Sequence, residues 1–123
     1  MAPTQTGSSV LSPSRTIAVI APDLGLRQAL TFALEVEGFT VHAYADWCSD
    51  TILASSTFCF VVDDQVVRAC DDARQDLLHT TRAVILLTDG ISVPLDESPG
   101  VALAKPFEGA ELVRMVRDFA LAA

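Results

Sequence analysis

The sequence predicts an α/β fold, a doubly wound parallel sheet of five strands whose fourth helix is short or absent. Three observations carry this. Three apolar runs, Thr16–Ala21, Phe58–Val62 and Ala83–Thr88, are short, rich in β-branched residues and free of polar alternation, as strands buried on both faces are. Stretches of helical periodicity stand between the runs. A polar residue closes each buried run at or just beyond its carboxyl end.

The 123 residues fit one domain of ordinary size. Residues 1–14 are rich in Ser, Thr, Pro and Gly and read as a flexible tail, so the domain is expected over 15–123. Half the residues are hydrophobic and a fifth are charged, which excludes wholesale disorder. A net charge of −8 and a pI near 4.4 argue against binding nucleic acid or an anionic membrane. No apolar run reaches the ~20 residues of a membrane span. The start, MAPTQTGSSVLSPSR, lacks the charged and apolar regions of a signal peptide, and a cytoplasmic address is expected. Cys48, Cys59 and Cys70 are odd in number and form no Cys-x-x-Cys or Cys/His group, against a disulfide framework or zinc site.

The elements follow in order. The first strand ends at Pro22, and Asp23 is suited to cap the helix after it. There Leu26, Ala29, Leu30, Ala33 and Leu34 make one apolar stripe, and Gly38 is the stop. Thr40–Tyr44 alternates as a half-exposed strand. A short helix is expected from Asp46 to about Ala54, with Trp47 packed on the sheet edge. The third strand, Phe58–Val62, ends abruptly in Asp63-Asp64. One helix is expected near Val67–Leu78, with Asp71, Asp72 and Asp76 on a solvated face. The fourth strand, Ala83–Thr88, runs into Asp89-Gly90. Residues 91–99 hold two prolines and show no convincing helix. Val101–Ala104 is a last short strand, closed by Lys105-Pro106-Phe107. From about Glu108, Leu112, Val113, Val116, Phe119 and Ala120 stripe the final helix. With right-handed crossovers, this succession gives a flavodoxin-like strand order, 2-1-3-4-5.

Such sheets form sites beyond the carboxyl ends of their strands. Asp23, Asp63, Asp64, Thr88 and Lys105 lie there. Lys105 is the single lysine among eight basic residues. Its ammonium is a flexible point charge suited to a carboxylate or phosphate. An acid, a hydroxyl and an amine from three strands are thereby expected to converge.

The chain resembles a receiver domain of two-component response regulators over about residues 15–121. The resemblance rests on Leu26-Arg27-Gln28-Ala29-Leu30 with Glu37-Gly38-Phe39-Thr40-Val41, on Cys59-Phe60-Val61-Val62-Asp63, on Val84-Ile85-Leu86-Leu87-Thr88, and on Lys105-Pro106-Phe107. It implies that Asp63 is the phospho-acceptor, that Thr88 is the switch hydroxyl, that Lys105 pairs with the phosphoryl group, and that Lys105-Pro106 is cis.

The departures from the family are equally specific. Receivers end their first strand with two acids that hold Mg²⁺, and the matching positions are Ala21 and Pro22. Neither side chain can ligate a hard cation. The remaining candidates are Asp63, Asp64 and a backbone carbonyl near Gln65, with Asp23 one place too late. No resident metal or other cofactor is expected. The family's Met-Pro and Gly after the acceptor are replaced by Asp64-Gln65-Val66-Val67-Arg68. From Thr88 to Lys105 is 17 residues, about one helical turn short of the family's fourth crossover. Ala102 occupies the place of the aromatic switch.

The expectation is a stand-alone atypical receiver, not an enzyme, with impaired Mg²⁺-dependent phosphorylation, acting by contact with another protein. Its expected partners are a sensor histidine kinase, another response regulator or a second copy of itself. The alternative is a working phosphate shuttle or sink that uses Asp63, with Mg²⁺ held by Asp23 or Asp64. A flavodoxin-like enzyme or nucleotide binder is disfavoured. The turn Ala-Pro-Asp-Leu-Gly is no phosphate loop, and His42 and His79 lie away from the acids.

Overall fold

A computed structural model describes residues 15–54, 56–89 and 100–122. The elements run β1 (Thr16–Ile20), α1 (Leu24–Val36), β2 (Thr40–Tyr44), α2 (Ser49–Ala54), β3 (Cys59–Asp63), α3 (Asp64–Ala69), α4 (Asp71–His79), β4 (Ala83–Thr88), β5 (Val101–Ala104) and α5 (Gly109–Ala122). The strands form one five-stranded sheet, all parallel, in the order β2-β1-β3-β4-β5. The predicted fold class and strand order therefore hold. The expected tail, residues 1–14, and the expected gap in the fourth crossover lie outside the described residues.

Burial follows the strand order. Every residue of central β3 is buried, whereas edge strands β2 and β5 stay largely exposed. Successive residues of a strand point to opposite faces, and the core divides accordingly. Ile17, Val19, Cys59, Val61, Ile85 and Leu87 meet α1 and α5 through Leu30, Leu34, Leu112 and Val116. Ala18, Ile20, Phe60, Val62, Val84 and Leu86 meet α2, α3 and α4 through Ile52, Val66, Val67, Ala73 and Leu77. Each fully buried aliphatic side chain stabilises the fold by roughly 1.5–3 kcal/mol.

Local signals place the helix ends. The Asp23 carboxylate accepts from the Leu26 backbone N–H at 2.7 Å and caps α1. Gly38 follows the helix with a φ of +95°, open to glycine at little cost. Three expectations need correction. The helix expected over Val67–Leu78 is two helices, because Cys70 between them has extended backbone at φ −131° and ψ 108°. The helix expected from Asp46 begins at Ser49. Trp47 packs against Phe60 of interior strand β3, with ring centroids 6.1 Å apart, and not on the sheet edge. Its indole N–H donates to Asp76 at 2.9 Å, and the Ser49 hydroxyl donates to the same carboxylate oxygen at 2.6 Å. Asp76 is thus a tie between two segments, not part of a solvated face.

Two outcomes follow. Gly100 precedes β5 with a φ of +70°, and a Cβ there would collide with the Val84 backbone. Gly100→Ala is expected to destabilise the protein by roughly 2–4 kcal/mol, from left-handed strain and steric overlap together, read by urea denaturation. Burial pushes the Cys59 thiol up to about 12, while the exposed Cys48 thiol is lowered by its hydrogen bond with Thr51. At pH 8 a thiol-reactive dye is expected to label Cys48 in the native protein and Cys59 only after denaturation.

Candidate functional site

The rim at the carboxyl ends of β1, β3 and β4 is built from backbone register. Val62 of β3 lies beside Ile20 of β1, and Asp63 lies beside Leu87 of β4, one residue before Thr88. The Lys105 backbone N–H donates to the Thr88 carbonyl at 2.7 Å, which fixes the segment after β5 against the end of β4. The Lys105-Pro106 bond is cis.

This framework delivers Lys105 to Asp63. The ammonium donates to Asp63 Oδ2 at 2.8 Å. Asp63 Oδ1 accepts from the Gln65 backbone N–H at 2.9 Å and caps α3. Both oxygens of a carboxylate that is only 2% exposed are therefore engaged. Among the described residues no partner holds the Thr88 side chain, which stands half-buried on the next strand. The acid, the hydroxyl and the amine expected to converge thus share one rim, with a direct contact between acid and amine.

The neighbouring polar groups have other employment. Asp64 is as buried as Asp63, and its Oδ2 accepts from Arg68 Nε at 3.1 Å, one helical turn on. Asp23 is turned to the first N–H groups of α1. Gln65 lies inside α3, where a backbone carbonyl aims along the helix axis toward the residue four ahead. At the end of β1, Ala21 is buried and Pro22 exposed. Arg27 reaches back from α1 and donates through Nη1 to the Ala21 carbonyl at 2.8 Å and to the Pro22 carbonyl at 3.2 Å. Among the described residues no group of three or more His, Cys, Asp or Glu side chains is arranged to hold a metal ion.

Sequence reasoning brought Asp63, Thr88 and Lys105 to this rim but did not place Arg27 or Arg68 there. The spacing of Asp64 and Arg68, four apart, was a legible signal for the second of these. The contact of Arg27 with the Ala21 and Pro22 carbonyls needs the turn at Pro22, which residue type does not show.

No family profile matches the chain. The transcriptional regulator protein FixT of Rhizobium meliloti (strain 1021) is 34% identical over 110 residues, covering 89% of this chain and 96% of that protein. Among solved structures, a response regulator receiver protein from Burkholderia phymatum superposes with a TM-score of 0.70 at 19% identity, covering 88% of this chain and 96% of that one. A receiver domain protein from Bacillus halodurans gives 0.67 at 18% identity, with 88% and 97% covered. At such identities the structures speak for the fold alone, and they agree with the sequence relative. No described helix is long and apolar enough to cross a membrane. With the parallel 2-1-3-4-5 sheet, the Lys105–Asp63 contact and a relative matched along nearly its whole length, the chain belongs to the response regulator receiver family of two-component signalling.

Proposed function

We propose that this chain is a stand-alone atypical receiver that works in the cytoplasm by binding another protein, with its Mg²⁺-dependent phosphorylation impaired. The observation that carries this reading is the prior commitment of Asp23, Asp63 and Asp64. Mg²⁺ requires near-octahedral oxygen ligands at about 2.1 Å. Asp23 is a helix cap, Asp64 is held by Arg68, and the Gln65 carbonyl belongs to α3. Ala21 and Pro22 contribute only backbone oxygens, and Arg27 donates to both. The residues present do not fit the ion, and a guanidinium beside the β1 terminus opposes a second positive charge there.

Phosphoryl transfer to a carboxylate depends on positioning and on neutralising the incoming charge. Here, among the described residues, Lys105 is the one cation paired with Asp63, and each Asp63 oxygen must first leave a partner. The partners that fit a receiver are a sensor histidine kinase or another response regulator. Nucleic acid and membrane surfaces are disfavoured by the net charge of −8.

A second reading, a phosphate shuttle or sink acting through Asp63, is favoured by one observation. Lys105 sits 2.8 Å from the acid, and among the described residues no partner holds the Thr88 side chain on the neighbouring strand.

Beryllofluoride, a phosphoryl mimic, separates the two. Thermal denaturation of the chain with Mg²⁺ and beryllofluoride is expected to show no shift in Tm. The double variant Ala21→Asp, Pro22→Asp is expected to gain an Mg²⁺-dependent rise. Saturable binding of beryllofluoride at Asp63 in the unaltered protein defeats the proposal and supports the shuttle.

Lys105→Met is expected to destabilise the fold by about 2–3 kcal/mol, because it strands a buried carboxylate. Asp63→Asn should cost less, since asparagine retains the cap. Urea denaturation of the two single variants and the double variant reads the coupling directly.

A further inference from the structure

A pocket of about 380 Å³ opens beyond the carboxyl ends of β1, β2 and β3, apart from the Asp63–Lys105 contact. Its walls are Pro22 after β1, Asp46 and Trp47 after β2, and Gln65, Val66 and Ala69 of α3. The strand order reverses between β1 and β3. In open α/β sheets the crevice at that reversal is where ligands bind. Asp63, Thr88 and Lys105 do not line it, and Lys105 follows β5, two strands beyond β3 on the other side.

The apolar walls are fixed before anything enters. The Trp47 indole N–H donates to Asp76 at 2.9 Å, and its ring lies against Phe60. Val66 is buried in the core below. The polar groups are uncommitted. Among the described residues no partner holds the Asp46 carboxylate or the Gln65 side-chain amide, and both residues are exposed. None of the eight basic residues lines the pocket. Asp46 thus differs from Asp63 and Asp64, which are each paired with a cation of the chain.

This set of groups selects a ligand class. An aromatic ring attracts a cation, and a carboxylate with no partner pairs with one. The net charge of −8 favours the same sign. A single carboxylate is a poor seat for a metal ion, and no metal-holding group of acids stands among the described residues. A guanidinium suits the set better than an ammonium. It is planar, stacks on an indole, presents parallel N–H groups to both oxygens of a carboxylate and keeps further donors for an amide oxygen.

We propose that this pocket binds a small free molecule bearing a guanidinium group, which pairs with Asp46, stacks on Trp47 and donates to Gln65. Gln65 joins the pocket to the rim: its side chain lines the one, and its backbone N–H donates to Asp63 in the other. Occupancy therefore bears on the first turn of α3 without phosphoryl chemistry. Its role as an input rests on the receiver reading above; the binding itself does not.

Trp47 is the single tryptophan of the chain, so its fluorescence reports the pocket directly. n-Butylguanidinium, titrated into the full chain at fixed ionic strength, is expected to change the emission saturably. n-Pentylammonium is expected to bind roughly tenfold more weakly, and neutral pentanamide not to bind. Isothermal titration calorimetry of two variants ties the signal to the site. Asp46→Asn is expected to weaken n-butylguanidinium at least roughly tenfold, by loss of the charge-assisted pair. Ala69→Leu, which fills the pocket, is expected to abolish binding. Both positions are exposed, and an unchanged circular dichroism spectrum checks the fold. No saturation up to about 20 mM, weaker than any specific site here, overturns the proposal. So does an affinity indifferent to both substitutions, or one equal for the ammonium. Tighter binding by a blocked arginine peptide than by n-butylguanidinium assigns the pocket to a protein side chain and overturns the free ligand. These measurements involve neither beryllofluoride nor a partner protein, so their failure leaves the receiver reading standing.

Discussion

Asp63 is the fixed point of the molecule's working edge. One carboxylate closes β3, caps α3 through Oδ1 and holds Lys105 through Oδ2. It thereby ties the most buried strand, the helix that follows it and the segment entering α5. Burial makes this arrangement demanding. A carboxylate that is 2% exposed needs compensation at both oxygens, since removal from water costs several kcal/mol. The compensation is fully supplied by the chain. Asp64 beside it is treated likewise by Arg68, so two adjacent buried acids are each matched by a cation from within the fold.

That internal matching bears on what the rim can receive. An acidic cluster attracts a divalent ion because its charges are uncompensated and its oxygens are free. Here the oxygens accept from a lysine, an arginine and backbone N–H groups. The carbonyls at the end of β1 accept from Arg27. An ion entering such a rim must displace existing donors, and each displacement strands a cation or an N–H group. The want of side-chain acids at positions 21 and 22 is the larger obstacle, and an ion seated by acids restored there would still lie near Arg27 and Arg68.

Much of this was legible in the sequence. The three buried strands announce themselves by unbroken apolar runs, and the parallel order follows from their alternation with helices. Asp63, Thr88 and Lys105 were found because strand ends are few and each ends in a polar residue. What escaped was of another physical kind. Cys70 breaks the segment between Ala69 and Asp71, yet neither Gly nor Pro marks the place, so periodicity ran on across it. Asp76 looked like one more surface acid because its partners, Trp47 and Ser49, lie 29 and 27 residues away in the chain. The guanidinium of Arg27 closes on carbonyls, and backbone acceptors leave no trace in residue type. Contacts within one turn of helix could be read; those made by the tertiary fold could not.

The two ends of the α1–α5 side of the sheet now stand in contrast. At the rim Asp63 and Asp64 are each answered by a cation of the chain, whereas on the α1–α5 face Phe32, Val36 and Leu121 stay exposed. A ligand shifts a conformational equilibrium only by its differential affinity for the two states. On the proposed reading, phosphorylation and Mg²⁺ contribute little such difference, because the rim already supplies their counter-charges. The receiver's engagement by a partner is then set by mass action, through the concentrations of the two proteins.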